Sequence, residues 1–203
     1  MIPKINFVWS WIYQEGVHTP KNLDETSENY EEYVNSFISE VSKEWDKFGE
    51  DILRYMGELT GLTWKKSEIN CYVIKISESY PFSDPLTIPI QNKCGDKIFT
   101  MDKDTFIDTL IHELIHNLQI QNKVTDKYFD YLIKEKYKDF SFTTAIEIPI
   151  HAIHKEIFLR FFDKERLDKH VALMSNYSEY KKSWDIVNKE GSKNIVEELK
   201  KFI

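Results

Sequence analysis

Cysteine, glycine and proline are all scarce in this chain, with two cysteines, six glycines and six prolines among 203 residues. Two thiols make at most one bridge, which excludes a disulfide scaffold, and usage this sparse reads as a reducing interior with Cys71 and Cys94 free. A cytoplasmic location is the expectation. There is no phosphate-cradling glycine loop and no Gly-x-Ser-x-Gly nucleophile elbow, and the chain has neither an internal repeat nor a low-complexity tract. Long apolar runs are missing as well. The N-terminal run from Ile5 to Tyr13 is broken by Asn6 and Ser10, is too short to cross a bilayer and is not followed by a small-residue cleavage site. It reads as a packed strand or arm, and no membrane partner is expected. Positive charge is not concentrated anywhere: the net charge is −7, and Lys65-Lys66, Lys181-Lys182 and Lys200-Lys201 are isolated pairs. That argues against a nucleic-acid surface.

What is present is enough apolar residue, 41%, to build one compact domain over 1–203. The stretch from Val17 to Leu23 holds Pro20 and reads as a loop connecting the N-terminal arm to a long helical segment. From Thr26 to Leu59 the apolar positions Tyr30, Tyr33, Val34, Phe37, Ile38, Val41, Trp45, Phe48, Ile52, Met56 and Leu59 recur at steps of three and four. This predicts one long amphipathic helix or two joined near Gly49, stopped at Gly61 and completing a segment 1–61. A sheet is expected over 65–101: a strand from Ile69 to Ile76 with Cys71 as a small buried hydrophobe, then a hairpin of Leu86–Ile90 and Lys97–Met101 around Asn92 to Asp96. Pro89 marks its strand as an edge, where an extended peptide can add as a further strand.

The chemistry-bearing stretch is His112-Glu113-Leu114-Ile115-His116. Asp102 or Asp104 can cap a helix here, and Phe106, Ile107, Leu110, Ile111, Leu114, Ile115 and Leu118 recur at helical spacing. On that helix His112 and His116 lie one turn apart and can aim their imidazoles at one Zn²⁺, with Glu113 placed to take a proton from a metal-bound water. Burying two histidines side by side without such a partner is costly.

A catalytic zinc keeps three protein ligands. The third is sought between Thr143 and His154, where, at 100° per residue, Glu147, His151 and His154 share one face and Ile146, Ile150, Ile153 and Ile157 an adjacent apolar stripe. Glu156 falls on the opposite face, and His154 reads as a satisfied structural residue. Pro149 leaves the choice open. A helix running through it excludes Glu156 and leaves Glu147 or His151 as ligand, a carboxylate completing a two-histidine, one-glutamate set with His151 behind it or donating to an oxyanion; a helix starting at Pro149 makes His151 the better-placed ligand.

His112-Glu113-x-x-His116 resembles the signature of the zincin metallopeptidases, and the resemblance extends more loosely over residues 65–165. The metzincin branch carries a glycine three residues past the second histidine and a histidine three further on; this chain has Gln119 and Asn122 there. The gluzincin branch draws its third ligand, a glutamate, from a later helix, and Glu147 stands in range. The resemblance implies zinc held by His112, His116 and Glu147, Glu113 as general base, and hydrolysis of a peptide or protein substrate.

After the motif helix the chain reads as helical throughout. Thr125 can cap a helix bearing Tyr128, Phe129, Leu132, Ile133 and Tyr137, and the ligand helix closes the segment 102–165. Helices at about 165–189 and 193–202 form the C-terminal segment 166–203. The expected fold is α+β: a small, mainly antiparallel sheet of about three strands packed on helices, zincin-like, with a helical C-terminal half. A non-catalytic, zinc-stabilised interaction protein is the competing class, distinguished by a fourth protein ligand that closes the site. Oligomeric state is left open.

Overall fold

The computed structural model describes residues 1–16, 30–124 and 127–203. The loop expected at Val17–Leu23, the helix start at Thr26 and the cap at Thr125 lie outside the described residues. Among those described, the chain is α+β, with α1 (Trp11–Gly16), α2 (Tyr30–Trp45), α3 (Gly49–Thr60), α4 (Lys103–Gln121), α5 (Lys127–Tyr131), α6 (Phe142–Phe161), α7 (Lys164–Met174), α8 (Ser178–Glu190) and α9 (Ser192–Leu199). The strands are β1 (Lys4–Val8), β2 (Glu68–Ser77), β3 (Phe82–Ser83), β4 (Leu86–Cys94) and β5 (Lys97–Thr100). The chain divides into two compact units, one of Pro3–Gly49 with Lys66–Leu114 and the other of Met1–Ile2, Glu50–Lys65 and Ile115–Ile203.

The first unit holds the sheet. The expectation of a mainly antiparallel sheet of about three strands is corrected, because its five strands are mixed and the three that lead it, β1-β2-β4, run parallel. Alternation along a strand does not encode direction; burial on both faces does, and β4 opens with five consecutive buried residues, Leu86 to Ile90. The short β3 and β5 add antiparallel to β4. Pro89 is therefore not on an edge strand: β4 pairs with β2 on one margin and with β3 and β5 on the other. Proline is accommodated because it sits between the β3 pairing at Leu86–Thr87 and the β5 pairing at Gln91–Cys94, where that ladder is interrupted. The expected hairpin is present, closed by Cys94 opposite Lys97 with Gly95 at φ +60°.

Two further contacts complete this unit. The Gln14 amide of α1 continues the edge of β2, accepting from Lys75 N at 2.7 Å. Of the two alternatives for residues 30–60 the broken helix is observed, and α3 opens at Gly49, where the Trp45 indole leaves no room for a Cβ. The sheet then delivers the motif helix directly. Met101 N donates to Ile90 O at the end of the hairpin, and the Asp102 carboxylate caps α4 by accepting from Thr105 N at 2.8 Å.

The second unit is helical. Gly61 stops α3 at φ +78°, and the Trp64 indole N–H donates to Leu53 O at 2.9 Å. The π-helical turn Leu132–Lys136 follows α5. There the Lys136 ammonium sits between Glu190 and Glu198, while Tyr137 donates to Glu190 at 2.8 Å and Tyr131 to Glu198 at 3.0 Å. Around α6 pack α7, α8 and α9, so that Ala145, Ile148, Ile150, Ala152, Ile153, Ile157 and Phe158 are all buried. The C-terminal segment expected as one helix over 165–189 is two, α7 and α8, separated at residues 175–177.

Candidate metal centre

α4 is buried on nearly every side, which explains how a helix can carry both a complete apolar stripe and a polar site. Phe106, Ile107, Leu110, Ile111, Leu114, Ile115 and Leu118 are at most 1% exposed, yet His112, Glu113, Asn117 and Gln119 are buried too. A buried imidazole or carboxylate needs a partner, and the positions of these groups are where one is found.

His112 and His116 stand one turn apart on this unbroken helix. Their ligand atoms and a carboxylate oxygen of Glu147 all lie within 4.8 Å of one another. His116 Nε2 is 3.3 Å from Glu147 Oε1. Two ligand atoms on a tetrahedral zinc, each about 2.0–2.1 Å from the ion, lie roughly 3.4 Å apart. Two imidazoles and one carboxylate also match the donor types that zinc accepts, so the residues fit the group. Among the described residues the cluster has three members. The His116 side chain, at 17% exposure against 6% for Glu147, is the one nearer solvent.

Glu147 reaches this position because α6 does not begin at Pro149. Ser141 caps it, its hydroxyl accepting from Thr144 N, and the helix runs through the proline to Phe161. Burial of Ile148, Pro149 and Ile150 offsets the lost backbone bond to Ala145. The helix start at Pro149 that would favour His151 is not observed, and the three ligand-type side chains brought together are His112, His116 and Glu147.

His151 lies one turn beyond, fully buried, with Nε2 at 3.7 Å from Glu147 Oε2 and Nδ1 at 2.7 Å from Ser183 Oγ. The Ser183 hydroxyl itself donates to Tyr180 O at 2.8 Å. It therefore accepts from His151, and Nδ1 carries the proton. Trp184 stacks on the imidazole at 4.5 Å between centroids and 13° between planes, and Tyr180 meets it edge-on at 5.5 Å. Ser183 and Trp184 were not expected from the sequence. The only trace is a serine and a tryptophan adjacent on a helix face some thirty residues downstream, which spacing alone does not connect to His151.

The remaining acids and histidines separate cleanly. Glu156 is buried but turned to α9, where Ser192 donates to it at 2.5 Å. His154 packs against Phe158 and His170 at 4.7 and 4.6 Å between ring centroids. Glu113, 8% exposed, lies within electrostatic reach of Cys71: burial pushes that thiol up from its ordinary value and the Glu113 carboxylate pushes it further. Cys71 is wholly buried and free, as a small core residue.

Comparison of the chain with protein-family models, with curated proteins and with solved structures found no match. The functional reading rests on the residues themselves.

Proposed function

We propose that this chain is a zinc-dependent peptidase of the gluzincin kind. The observation that carries the reading is the close approach of His112, His116 and Glu147 on two helices, with an acid, Glu113, next to the first ligand in a buried helix. A divalent ion held there supplies a Lewis acid and a water acidic enough to react near neutral pH. Glu113 accepts the proton of the attacking water and passes it to the leaving amine. His151 is not assigned to an oxyanion, since the ring is fully buried and one nitrogen faces Ser183 while the other faces Glu147.

An extended peptide is the substrate posture that suits this sheet. Among the described residues the outer margin of β5 carries no strand, its residues are exposed, and Ile98 and Phe99 present apolar side chains along it. β5 leads through Met101 and Asp102 into α4, so a strand added there runs beside the start of the motif helix. A reducing compartment suits the two free thiols.

A closed, purely structural zinc site is the second reading, favoured by the burial of His112, Glu113 and Glu147. Metal analysis and hydrolysis of an unfolded protein substrate, measured on wild type, Glu113→Gln and Glu147→Ala, separate the two. The peptidase predicts one zinc per chain in wild type and in Glu113→Gln, no turnover in Glu113→Gln, and weakened metal in Glu147→Ala. Hydrolysis that survives Glu113→Gln with zinc bound overturns the mechanism, and a metal-free wild type in added zinc overturns the site.

A further inference from the structure

Asn117 stands one turn past Glu113 on α4 and Gln121 one turn past Asn117, so the three side chains climb one side of the same helix. Glu113 and Asn117 are both buried, at 8% and 2% exposure. A buried primary amide has an oxygen that only accepts and a nitrogen that only donates. Which end faces which neighbour decides what it can do.

Here the facing is fixed from a group that cannot reverse. The backbone N–H of Lys65 can only donate, and it meets the Gln121 amide at 2.7 Å, so the atom it meets is Oε1. The other end of that amide is Nε2, which donates to Asn117 Oδ1 at 2.6 Å. By elimination, Nδ2 is the end of the Asn117 amide turned away from Gln121. Side chains on a helix lean back over the preceding turn, as Gln121 does in reaching Asn117. For Asn117 that turn carries Glu113.

We propose that Asn117 is a positioning residue: its Nδ2 donates to the Glu113 carboxylate, and the relay from Lys65 through Gln121 keeps that end of the amide facing it. This rests on the reading of Glu113 as general base. A base must meet the proton it takes within hydrogen-bond reach. An amide donor on one carboxylate oxygen fixes the group and leaves the other oxygen to accept. Asn117 touches neither substrate nor ion, and its effect is on where the base stands, for which a displacement of about 1 Å costs on the order of 100-fold in rate.

The relay makes two variants of one residue behave differently. Gln121→Lys keeps a donor towards Asn117 and loses the acceptor for Lys65. Gln121→Glu keeps the acceptor and loses the donor, so the Asn117 amide turns over and presents Oδ1 to Glu113. With an unfolded protein as substrate, Gln121→Glu is expected to lower kcat roughly 10- to 100-fold more than Gln121→Lys does, at unchanged KM and with zinc retained in both. A contact that only ties down the helix end affects the two alike, and equal kcat values overturn the proposal. The metal-free full chain supplies a readout independent of turnover. In ¹⁵N spectra the Asn117 side-chain NH₂, identified by its absence from Asn117→Ala, is expected to shift strongly in Glu113→Gln. An unmoved resonance places Nδ2 on a backbone carbonyl and overturns the proposal while leaving the general base standing. A wild type that binds zinc and hydrolyses nothing removes the general-base reading, and the NH₂ resonance then decides by itself whether the amide holds the carboxylate.

Discussion

Two buried glutamates of α6 have the same side chain and different tasks. Glu147 and Glu156 are both under 10% exposed, yet one faces two imidazoles and the other a serine hydroxyl. Helical angle alone separates them, because residues nine apart point to opposite sides at 100° per residue. The same contrast gives a control for the proposed metal site. Glu156→Gln is expected to lower stability by about 1–3 kcal/mol through the Ser192 contact, with zinc affinity unchanged. Thermal melts beside a zinc titration check it, and a loss of zinc affinity here means that the ligand set has been drawn wrongly. His151 was legible as sharing a face with Glu147 but its surroundings were not, because its partner Ser183 comes from a helix with no sequence link to it.

At the scale of elements, caps and stops were the readable features. Asp102, Gly61 and Gly95 carry their conformations locally, through a side-chain acceptor in one case and positive φ in the others. Strand direction was not readable from alternation, which parallel and antiparallel partners share; burial on both faces of β4 separates them, and that is a property of the packed sheet. Pro149 misled in the same way. Its local preference to end a helix is real, but α6 is enclosed by α7, α8 and α9, and packing outweighs a bond lost to one carbonyl. The cap of α4 offers a measurement at this scale. Asp102→Ala is expected to cost about 1 kcal/mol of stability, lowering the midpoint of thermal unfolding by a few degrees. Because the motif lies more than two turns from the cap, zinc stoichiometry is expected to stay at wild-type level.

For the molecule as a whole, metal and pH are the two variables that should move stability. A ligand bound only by the folded state at a hundred times its dissociation constant adds about 2.7 kcal/mol. Added zinc is therefore expected to raise the melting temperature of wild type and a chelator to reverse it, while Glu147→Ala responds weakly to either. In the second unit burial pushes Tyr128 and Tyr137 above the ordinary tyrosine range, with Glu198 and Glu190 adding to it. Burial pulls the Lys136 ammonium down, but its bonds to Glu198 and Glu190 outweigh that and leave it raised. Each of these groups keeps its proton longer in the folded chain than in the unfolded one. The sign is thus the same for all three: their contribution is present at neutral pH and is lost as pH climbs past about 10, where the unfolded chain releases its phenolic protons first. Tyr137→Phe is expected to flatten that alkaline decline, read from melting temperatures between pH 8 and pH 11; an unaltered slope means that Tyr137 plays no part in it.

The amino-acid sequence alone determined the α+β class, the position of α4, the one-turn spacing of His112 and His116 on it and, given an unbroken helix, the opposite facing of Glu147 and Glu156. All of these follow from periodicity and from caps that act within one or two turns of the chain. Only the tertiary structure decided that the leading strands run parallel, that α6 passes through Pro149, and that Glu147 meets His116 with one oxygen and His151 with the other. Those outcomes depend on groups brought together from distant parts of the chain, whose burial outweighs local backbone preference and leaves no trace in local spacing.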